Sequence, residues 1–318
     1  MPSDLKPTLA EIEEAEDRIK GIAWRTPLVP AGRHETKLFL KLECLQRNGS
    51  FKTRGAWNRM SRTTPEERSR GFVTVSAGNH GQAVAWCAKQ LESKCTVWVP
   101  EDAVEKKVQA MQAMGAVIKR MPHEEIMDSM TDDRWEKDPQ TYIHPFGDRY
   151  IIAGQGTISL EILQDIPDVR TVIVPVGGGG LISGIAAAIK AKKPTVRVYG
   201  VQAEAAAPIA ASFKTGKPER IQAGRTFADG MAASLVFDYM WPLLKELVDE
   251  ALVVSDDELR NAIRYLVNEV HIVTEGAGAA ALAAAWRYRE KIQDPTVCVL
   301  SGGNIDNSLL AEILTEKE

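Results

Sequence analysis

The stretch Asn-Gly-Ser-Phe-Lys-Thr-Arg-Gly-Ala at residues 48–56 decides how this chain is interpreted. It places Lys52 in a small, glycine-flanked turn between an apolar, strand-like run at residues 38–42 and a run typical of a helix. A lysine amine forms imines only after it has lost its proton, and burial lowers the pKa at which it does so. Alone the pattern is weak, because most lysines beside a glycine are solvated surface residues.

Three further glycine-rich turns follow strand-like runs: SAGNHG at residues 76–81, GGGGL at 177–181 and SGGN at 301–304. Successive backbone N–H groups at the start of a helix favour an anion, so the tract at 177–181 indicates phosphate binding. A plain flexible turn and a dinucleotide fingerprint are the alternatives, but Gly178, Gly180 and Gly184 are spaced one residue too widely for the fingerprint. A lysine, a phosphate-binding glycine tract and two polar turns are the parts that a pyridoxal phosphate site requires.

These four motifs, in this order, resemble the fold-type II pyridoxal-phosphate enzymes, and within them the serine/threonine dehydratase and serine racemase group. The resemblance covers residues 25–306. It implies an α/β fold similar to tryptophan synthase β, with two open, twisted, mainly parallel sheets and helices on both faces. It also implies a large cofactor-binding domain made of residues 1–52 and 149–318, and a small mobile domain at residues 53–148.

The order of local patterns agrees with such a fold. Strands are predicted at residues 72–75, 95–99, 116–118, 171–176, 196–201 and 296–300, and helices at 79–90, 104–114, 181–192 and 277–288. Strands and helices that alternate at this spacing favour parallel sheets covered on both faces. Capping boxes at Thr8 and Ser255 predict two more helix starts. The acidic segment at residues 122–139 is predicted as a further helix.

Composition limits the kind of partner. The 318 residues are 44% hydrophobic and 26% charged, and the net charge of −4 with a pI near 5.9 gives no indication of a nucleic-acid or membrane-surface partner. No apolar run approaches the ~20 residues of a membrane helix. The chain start lacks a hydrophobic signal segment, and the four cysteines show no CxxC spacing. We therefore expect buried reduced thiols, a cytoplasmic location, a small amino-acid substrate and, by resemblance, a homodimer or homotetramer.

The resemblance assigns cofactor contacts residue by residue. Lys52 would form the imine with pyridoxal 5'-phosphate, and Phe51 would pack on one face of its ring, although simple core packing would look the same. Asn79 would bind the ring 3-hydroxyl, with a helix N-cap as the alternative role. Ser301 would face the pyridine nitrogen, where a neutral hydroxyl keeps the ring a weaker electron sink and favours β-elimination over transamination. The phosphate would lie on Gly177, Gly178, Gly179, Gly180 and Leu181.

The substrate carboxylate would lie, by the same resemblance, on the loop formed by Ser76, Ala77, Gly78, Asn79 and His80. Without the neighbouring motifs this loop would be an N-cap turn and His80 an ordinary histidine at a helix start. The group's racemases carry a second serine where this chain has Ala77, which cannot transfer a proton. The residues therefore favour dehydration over racemisation.

Other departures concern regulation and metals. Metal-dependent members of the group carry carboxylates where this chain has Gln202 and Pro208, with Ala206 between them, so we expect no divalent-metal site unless a shifted alignment brings in Glu204. The chain ends at residue 318, where biosynthetic threonine dehydratases continue into a regulatory domain, so feedback control through such a domain is not expected.

The sequence thus predicts a pyridoxal-phosphate-dependent ammonia-lyase that converts L-threonine or L-serine into a 2-oxo acid and ammonia. The freed Lys52 would remove the α-proton as a general base. A bulkier substrate such as 3-hydroxyaspartate, which the unplaced segment at residues 123–127 leaves open, is the first alternative. Serine racemase, a non-catalytic regulatory protein that binds the cofactor, and a nucleotide-binding protein are the others.

Overall fold

The computed structural model describes residues 4–32, 37–131 and 134–316, and its strands form two separate sheets. The strands are β1 (Leu28–Pro30), β2 (Leu38–Lys41), β3 (Phe72–Val75), β4 (Cys95–Pro100), β5 (Val117–Met121), β6 (Thr141–Tyr142), β7 (Thr171–Pro175), β8 (Arg197–Ala203), β9 (Glu250–Val254) and β10 (Thr296–Val299). Six of them form a sheet in the order β1-β2-β10-β7-β8-β9, and four form a sheet in the order β5-β4-β3-β6. Every pairing is parallel except the one between β1 and β2. The predicted pair of mainly parallel sheets is confirmed.

Helices cover both sheets. They are α1 (Leu9–Ile19), α2 (Lys52–Met60), α3 (Pro65–Arg70), α4 (Asn79–Gln90), α5 (Glu105–Ala113), α6 (His123–Asp128), α7 (Arg149–Asp165), α8 (Gly180–Lys192), α9 (Pro208–Thr215), α10 (Trp241–Leu247), α11 (Asp256–Tyr265), α12 (Gly276–Arg287) and α13 (Asn307–Thr315). The capping boxes predicted at Thr8 and Ser255 open α1 and α11, with both reciprocal hydrogen bonds formed. None of the helices in the described part of the chain is long and apolar enough to cross a bilayer.

The long helix α7 connects the two halves of the molecule. Its residues from Ile151 to Ile162 are buried, and it packs against both α2 and α8. Glycines make this close approach possible, since a Cβ on Gly154 would lie 2.6 Å from the Cα of Gly55 and one on Gly184 would lie 2.2 Å from the carbonyl oxygen of Ile152. Helix α2 begins at Lys52 and α8 begins in the glycine tract. One helix therefore sets the distance between the two main motifs.

The helix predicted at residues 122–139 is wrong, and the predicted domain boundaries stay a prediction. The segment at residues 122–139 is not one helix: α6 is short, a 3-10 turn follows at Arg134–Glu136, and residues 132 and 133 lie outside the described part. Strands of the four-stranded sheet come from residues 72–142, and those of the other sheet come from residues 28–41 and 171–299. This division is compatible with the domain boundaries near residues 52 and 149, which stay a prediction.

Candidate active site

A cavity of about 530 Å³ opens at the carboxyl ends of β3, β7 and β10. This is the edge at which α/β sheets bind small ligands. The cavity lies between the two sheets. Every residue that the sequence assigned to cofactor or substrate lines it, which brings together four motifs separated by up to 250 positions. They are Phe51, Lys52, Ser76, Ala77, Gly78, Asn79, His80, Gly177, Gly178, Gly179, Gly180, Leu181 and Ser301.

The turn that carries Lys52 is fixed by the turn after β10. Phe51 N–H donates to the carbonyl oxygen of Ser301 at 3.1 Å, and Ser50 forms a β-bridge with Gly302. The amide of Asn304 adds a hydrogen bond of 2.8 Å to the carbonyl oxygen of Asn48. These contacts hold Ser301 and the start of α2 side by side at the cavity wall.

The Lys52 side chain is half-buried and lines the cavity. It donates to the carbonyl oxygen of Pro145 at 2.8 Å and lies 5.2 Å from the centre of the Phe51 ring. Burial lowers the pKa of Lys52 to about 8, while the carboxylate of Glu275 opposes the shift. A neutral amine is therefore accessible near pH 8, as imine formation and proton abstraction require.

The glycine tract joins β7 to α8. Gly179 has a φ of 93°, a left-handed conformation that favours glycine, and it serves as the N-cap of α8. The first N–H groups of α8 have no carbonyl acceptor within the helix, so they are available to an anion in the cavity. The sequence did not reveal a second reason for the glycines: a Cβ on Gly178 would lie 2.4 Å from the Phe146 ring, and one on Gly180 would lie 2.9 Å from Phe146.

The loop after β3 lines the cavity. The N-cap of α4 is Gly78, and no side chain caps this helix, so the alternative N-cap role for Asn79 is wrong. His80 is buried, its Nε2 lies 3.1 Å from the carbonyl oxygen of Ile143, and burial lowers its pKa well below the ordinary value. His80 therefore lies at the start of α4, as expected, and its ring is a neutral, buried group.

Sequence reasoning missed Glu275, which lines the cavity at the N-cap of α12. Its Oε1 accepts a hydrogen bond of 2.8 Å from the Asn79 amide, and the Asn79 oxygen accepts one of 2.7 Å from Asn304. Burial raises the pKa of Glu275 to about 7, although the bond from Asn79 opposes the shift. The acidic residue before a glycine and an alanine-rich helix was the available signal, but it has no characteristic spacing from the other motifs.

The raised pKa predicts a pH-dependent stability. Because the folded protein holds a proton on Glu275 more tightly than the unfolded chain, the contribution of Glu275 to stability falls as the pH rises from about 4.5 to 7. The variant Glu275→Gln keeps an acceptor for Asn79 but cannot ionise. We expect the free energy of unfolding of the Glu275→Gln apoprotein to exceed that of the wild type by up to about 3 kcal/mol at pH 8 and to equal it near pH 4. Water that reaches the Glu275 carboxylate in the open cavity reduces this difference.

Urea unfolding of both apoproteins at pH 4, 6 and 8 measures this difference. An equal gap at all three pH values would show that Glu275 does not titrate as described.

The positions considered for a metal have another role here. The buried Gln202 side chain accepts from the backbone N–H groups of Ile209 and Ala210 at 2.9 and 3.2 Å, and Pro208 begins α9. In the part of the chain that the structure describes, no group of three or more histidine, cysteine, aspartate or glutamate side chains could hold a metal ion.

The four cysteines are buried free thiols, and burial raises the pKa of Cys44 to about 12.

Comparisons with known proteins agree with this geometry. Residues 19–302 match the model of the family described as pyridoxal-phosphate dependent enzyme. The L-threonine ammonia-lyase of Thermotoga maritima is 39% identical over 315 residues, which cover 97% of this chain and 78% of that protein. The catabolic L-threonine dehydratase TdcB of Escherichia coli K12 is 40% identical over 319 residues, 98% of this chain and 97% of that protein.

Among solved structures, maize serine racemase superposes with a TM-score of 0.90 at 34% identity, over 96% of each chain. The match in sequence and in fold spans nearly the whole chain, well beyond the glycine turns that first indicated the cofactor. This chain belongs to the family of pyridoxal-phosphate-dependent enzymes of fold type II.

Proposed function

We propose that this protein is a threonine ammonia-lyase, which converts L-threonine into 2-oxobutanoate and ammonia with pyridoxal 5'-phosphate as cofactor, and which also accepts L-serine. The observation that carries the proposal is the meeting of Lys52 and the glycine tract in one cavity. Two relatives about 40% identical over nearly the whole chain are named for threonine deamination or dehydration. As a carbon–oxygen lyase, the enzyme removes the β-hydroxyl as water.

The residues present fit the cofactor. A partly desolvated amine at Lys52 suits its aldehyde, and the N–H groups at the start of α8 suit its phosphate. The Asn79 amide has two N–H bonds and donates to Glu275, so the second remains for the ring oxygen. Ser301, whose backbone carbonyl accepts from Phe51, lines the same cavity and would offer a neutral hydroxyl to the ring nitrogen.

The cofactor, when bound, supplies an aldehyde that takes up the substrate amine and a ring that withdraws electrons from the α-carbon. The chain supplies the rest. The backbone N–H groups at the start of α4 bind the substrate carboxylate, with Ser76 and Gly78 flanking it. Lys52, which would hold the cofactor, would remove the proton from the α-carbon once its amine is free. The β-hydroxyl takes up one proton and leaves as water, so that water is lost from the α- and β-carbons together. The unsaturated amino acid that remains gains a proton at its β-carbon, and hydrolysis of its C–N bond releases ammonia and the 2-oxo acid.

The cavity walls favour a small, apolar β-substituent. Apolar side chains from α6, from its following turn and from the segment before α10 line the cavity: Ile126, Met130, Ala232, Ala233 and Phe237. A β-carboxylate would need a free cation there. Among the described lining residues, the lysine and arginine side chains are Lys52 and Lys107. The amine of Lys107 is paired with Asp229 at 2.8 Å. This supports threonine and serine over 3-hydroxyaspartate.

Racemisation needs a second proton carrier on the opposite face of the substrate. The residue beside the carboxylate-binding backbone is Ala77, which has no titratable group. The lack of a second proton carrier at position 77 supports dehydration as the main reaction, although the fold is similar to that of maize serine racemase.

The test is a substrate comparison with the purified holoenzyme. We expect kcat/KM for L-threonine to exceed that for 3-hydroxyaspartate by ~100-fold or more, the effect of leaving one carboxylate desolvated and unpaired. Chiral chromatography should find much less D-threonine or D-serine than 2-oxo acid. Faster turnover of 3-hydroxyaspartate, or rapid formation of the D-isomers, would replace the proposal with one of the two alternatives.

The partner is a small amino acid, and we further propose that the enzyme acts as a homodimer or homotetramer in the cytoplasm. Light scattering coupled to size-exclusion chromatography measures the subunit count, and a mass of about 35 kDa, that of one chain, would contradict an oligomer.

A further inference from the structure

A short turn at residues 145–147 touches both halves of the site. The carbonyl oxygen of Pro145 accepts the hydrogen bond from the Lys52 amine at 2.8 Å. The next residue, Phe146, packs directly on the glycine tract, where a Cβ on Gly178 or Gly180 would collide with it. The position of this turn therefore determines the environment of the amine and the shape of the anion-binding loop together.

The side chain of His144 holds this turn in place. Its Nδ1 accepts from the backbone N–H of Phe146 at 3.1 Å and from that of Gly147 at 2.7 Å. An imidazole nitrogen that accepts two hydrogen bonds carries no proton, so the ring proton is on Nε2. Nε2 lies 3.3 Å from the carbonyl oxygen of Met130 and 3.2 Å from the hydroxyl of Tyr239.

The surroundings keep the ring in this state. His144 is 4% exposed, and burial lowers its pKa to about 3. Tyr142, Phe146 and Tyr239 contact the ring edge-on, with centroid distances of 5.7, 4.7 and 6.0 Å. Through Met130 and Tyr239 the imidazole also connects the turn after α6 to the segment before α10, the two segments that line the substrate side of the cavity.

We propose that His144 is a positioning residue for the reaction: its unprotonated Nδ1 fixes the turn that places an acceptor on Lys52 and packs Phe146 under the glycine tract. The proposal rests on the proposed role of Lys52 as the residue that holds the cofactor. It assigns no contact between His144 and cofactor or substrate. Without the Nδ1 acceptor, two buried N–H groups lose their partner, and both contacts of the turn shift with them.

A matched pair of variants separates positioning from simple packing. His144→Asn places an amide oxygen where Nδ1 stands and can accept from Phe146 and Gly147. His144→Gln reaches the Nε2 position instead and leaves the Nδ1 position without an acceptor. Tyr239→Phe removes only the contact on the far side of the ring, so it serves as the control for general disturbance of the cluster.

Two readouts do not depend on turnover. The first is the cofactor dissociation constant, from titration of the apoprotein followed by imine absorbance. The second is the apparent pKa of Lys52, from the pH dependence of imine formation with pyridoxal, which lacks the phosphate. Urea unfolding of the apoproteins records the cost of packing separately.

We expect His144→Gln to raise the cofactor dissociation constant ~10- to 100-fold and to shift the apparent pKa of Lys52, as the loss of one or two buried hydrogen bonds predicts. His144→Asn and Tyr239→Phe should stay within ~3-fold of the wild type in binding, even if both variants at position 144 lose similar stability. The proposal would be overturned if His144→Gln had the wild-type cofactor dissociation constant. It would also be overturned if His144→Asn and His144→Gln lost the same affinity for the cofactor. Failure of the proposed function is recognised separately, because borohydride reduction of the wild type would then place the cofactor on another lysine.

Discussion

Substitution of Lys52 by alanine should abolish the imine absorbance of the holoenzyme and lower turnover of L-threonine by ~10²- to 10⁴-fold or more. The change removes both the group that holds the cofactor and the base that moves the α-proton. Folding should survive. Burial lowers the pKa of Lys52 to about 8, so below that pH the amine must be charged inside the cavity at a cost to the folded state. The apoprotein variant should therefore unfold at pH 7 at no lower urea concentration than the wild type.

The exposed Lys89 near the end of α4 is a matched control, since Lys89→Ala removes a lysine from a helix without touching the cavity. It should keep the imine band and wild-type turnover. If Lys52→Ala retained a band that borohydride abolishes, another lysine would hold the cofactor, and the assignment of Lys52 would be wrong.

The fold was predictable where local chemistry and tertiary environment agree. Strands β3, β7 and β10 are buried along their whole length, so continuous apolar runs marked them. Helix α4 was predicted with its observed bounds, because a glycine-rich turn precedes it and its apolar face has helical spacing. The capping boxes of α1 and α11 are local signals that need no tertiary information.

Helix α7 was missed although it is the longest in the described chain. It is buried on all sides from Ile151 to Ile162, so this stretch has no exposed face to set a period, and its centre reads Gly154-Gln155-Gly156-Thr157 in sequence. Such residues usually indicate a loop. Here the glycines allow close helix packing instead, a requirement that exists only after α2 and α8 are in place.

The candidate site also contains residues that the sequence predicts and residues that it does not. Glycine turns and Lys52 have fixed spacing within short motifs, so they were visible in the sequence. Glu275 and His144 are single residues whose partners lie elsewhere in the chain: Asn79 is nearly two hundred positions from Glu275, and Tyr239 is 95 positions from His144. Only the folded structure brings these partners together.

For the same reason, the sequence did not predict a buried network of charges around Arg54, which lies two positions after Lys52. The Arg54 guanidinium is completely buried between two carboxylates, 2.8 Å from Glu43 and 2.7 Å from Glu161. Glu161 also pairs with the buried Lys41, which balances the network at two positive and two negative charges. Burial raises the pKa of Glu161, but Arg54 and Lys41 together hold it below its ordinary value. This network joins α2, α7, β2 and the segment that follows β2.

Arg54→Met should therefore destabilise the protein by about 3–5 kcal/mol, because it leaves the buried Glu43 carboxylate without its charged partner and Glu161 with Lys41 alone. Arg59→Met on the same helix is the matched control. Its pair with Asp148, at 2.9 Å, is about one-fifth exposed on each side, so the expected loss is below about 1 kcal/mol. Urea unfolding of the two apoproteins at pH 7 compares them.

The pH dependence of the loss identifies its cause. In the wild type the lowered pKa of Glu161 contributes stability above about pH 4.5, and this contribution disappears as the pH falls through the folded-state value. In Arg54→Met, Glu161 keeps Lys41 but loses one of the two cations that lower its pKa, so the gap to the wild type should be widest at neutral pH and should narrow below pH 4.5. A gap that stays constant from pH 7 to pH 4 would mean that the methionine fits poorly in the space of the guanidinium. In that case lost packing, rather than an uncompensated charge, would be what loosens the helix that begins at Lys52.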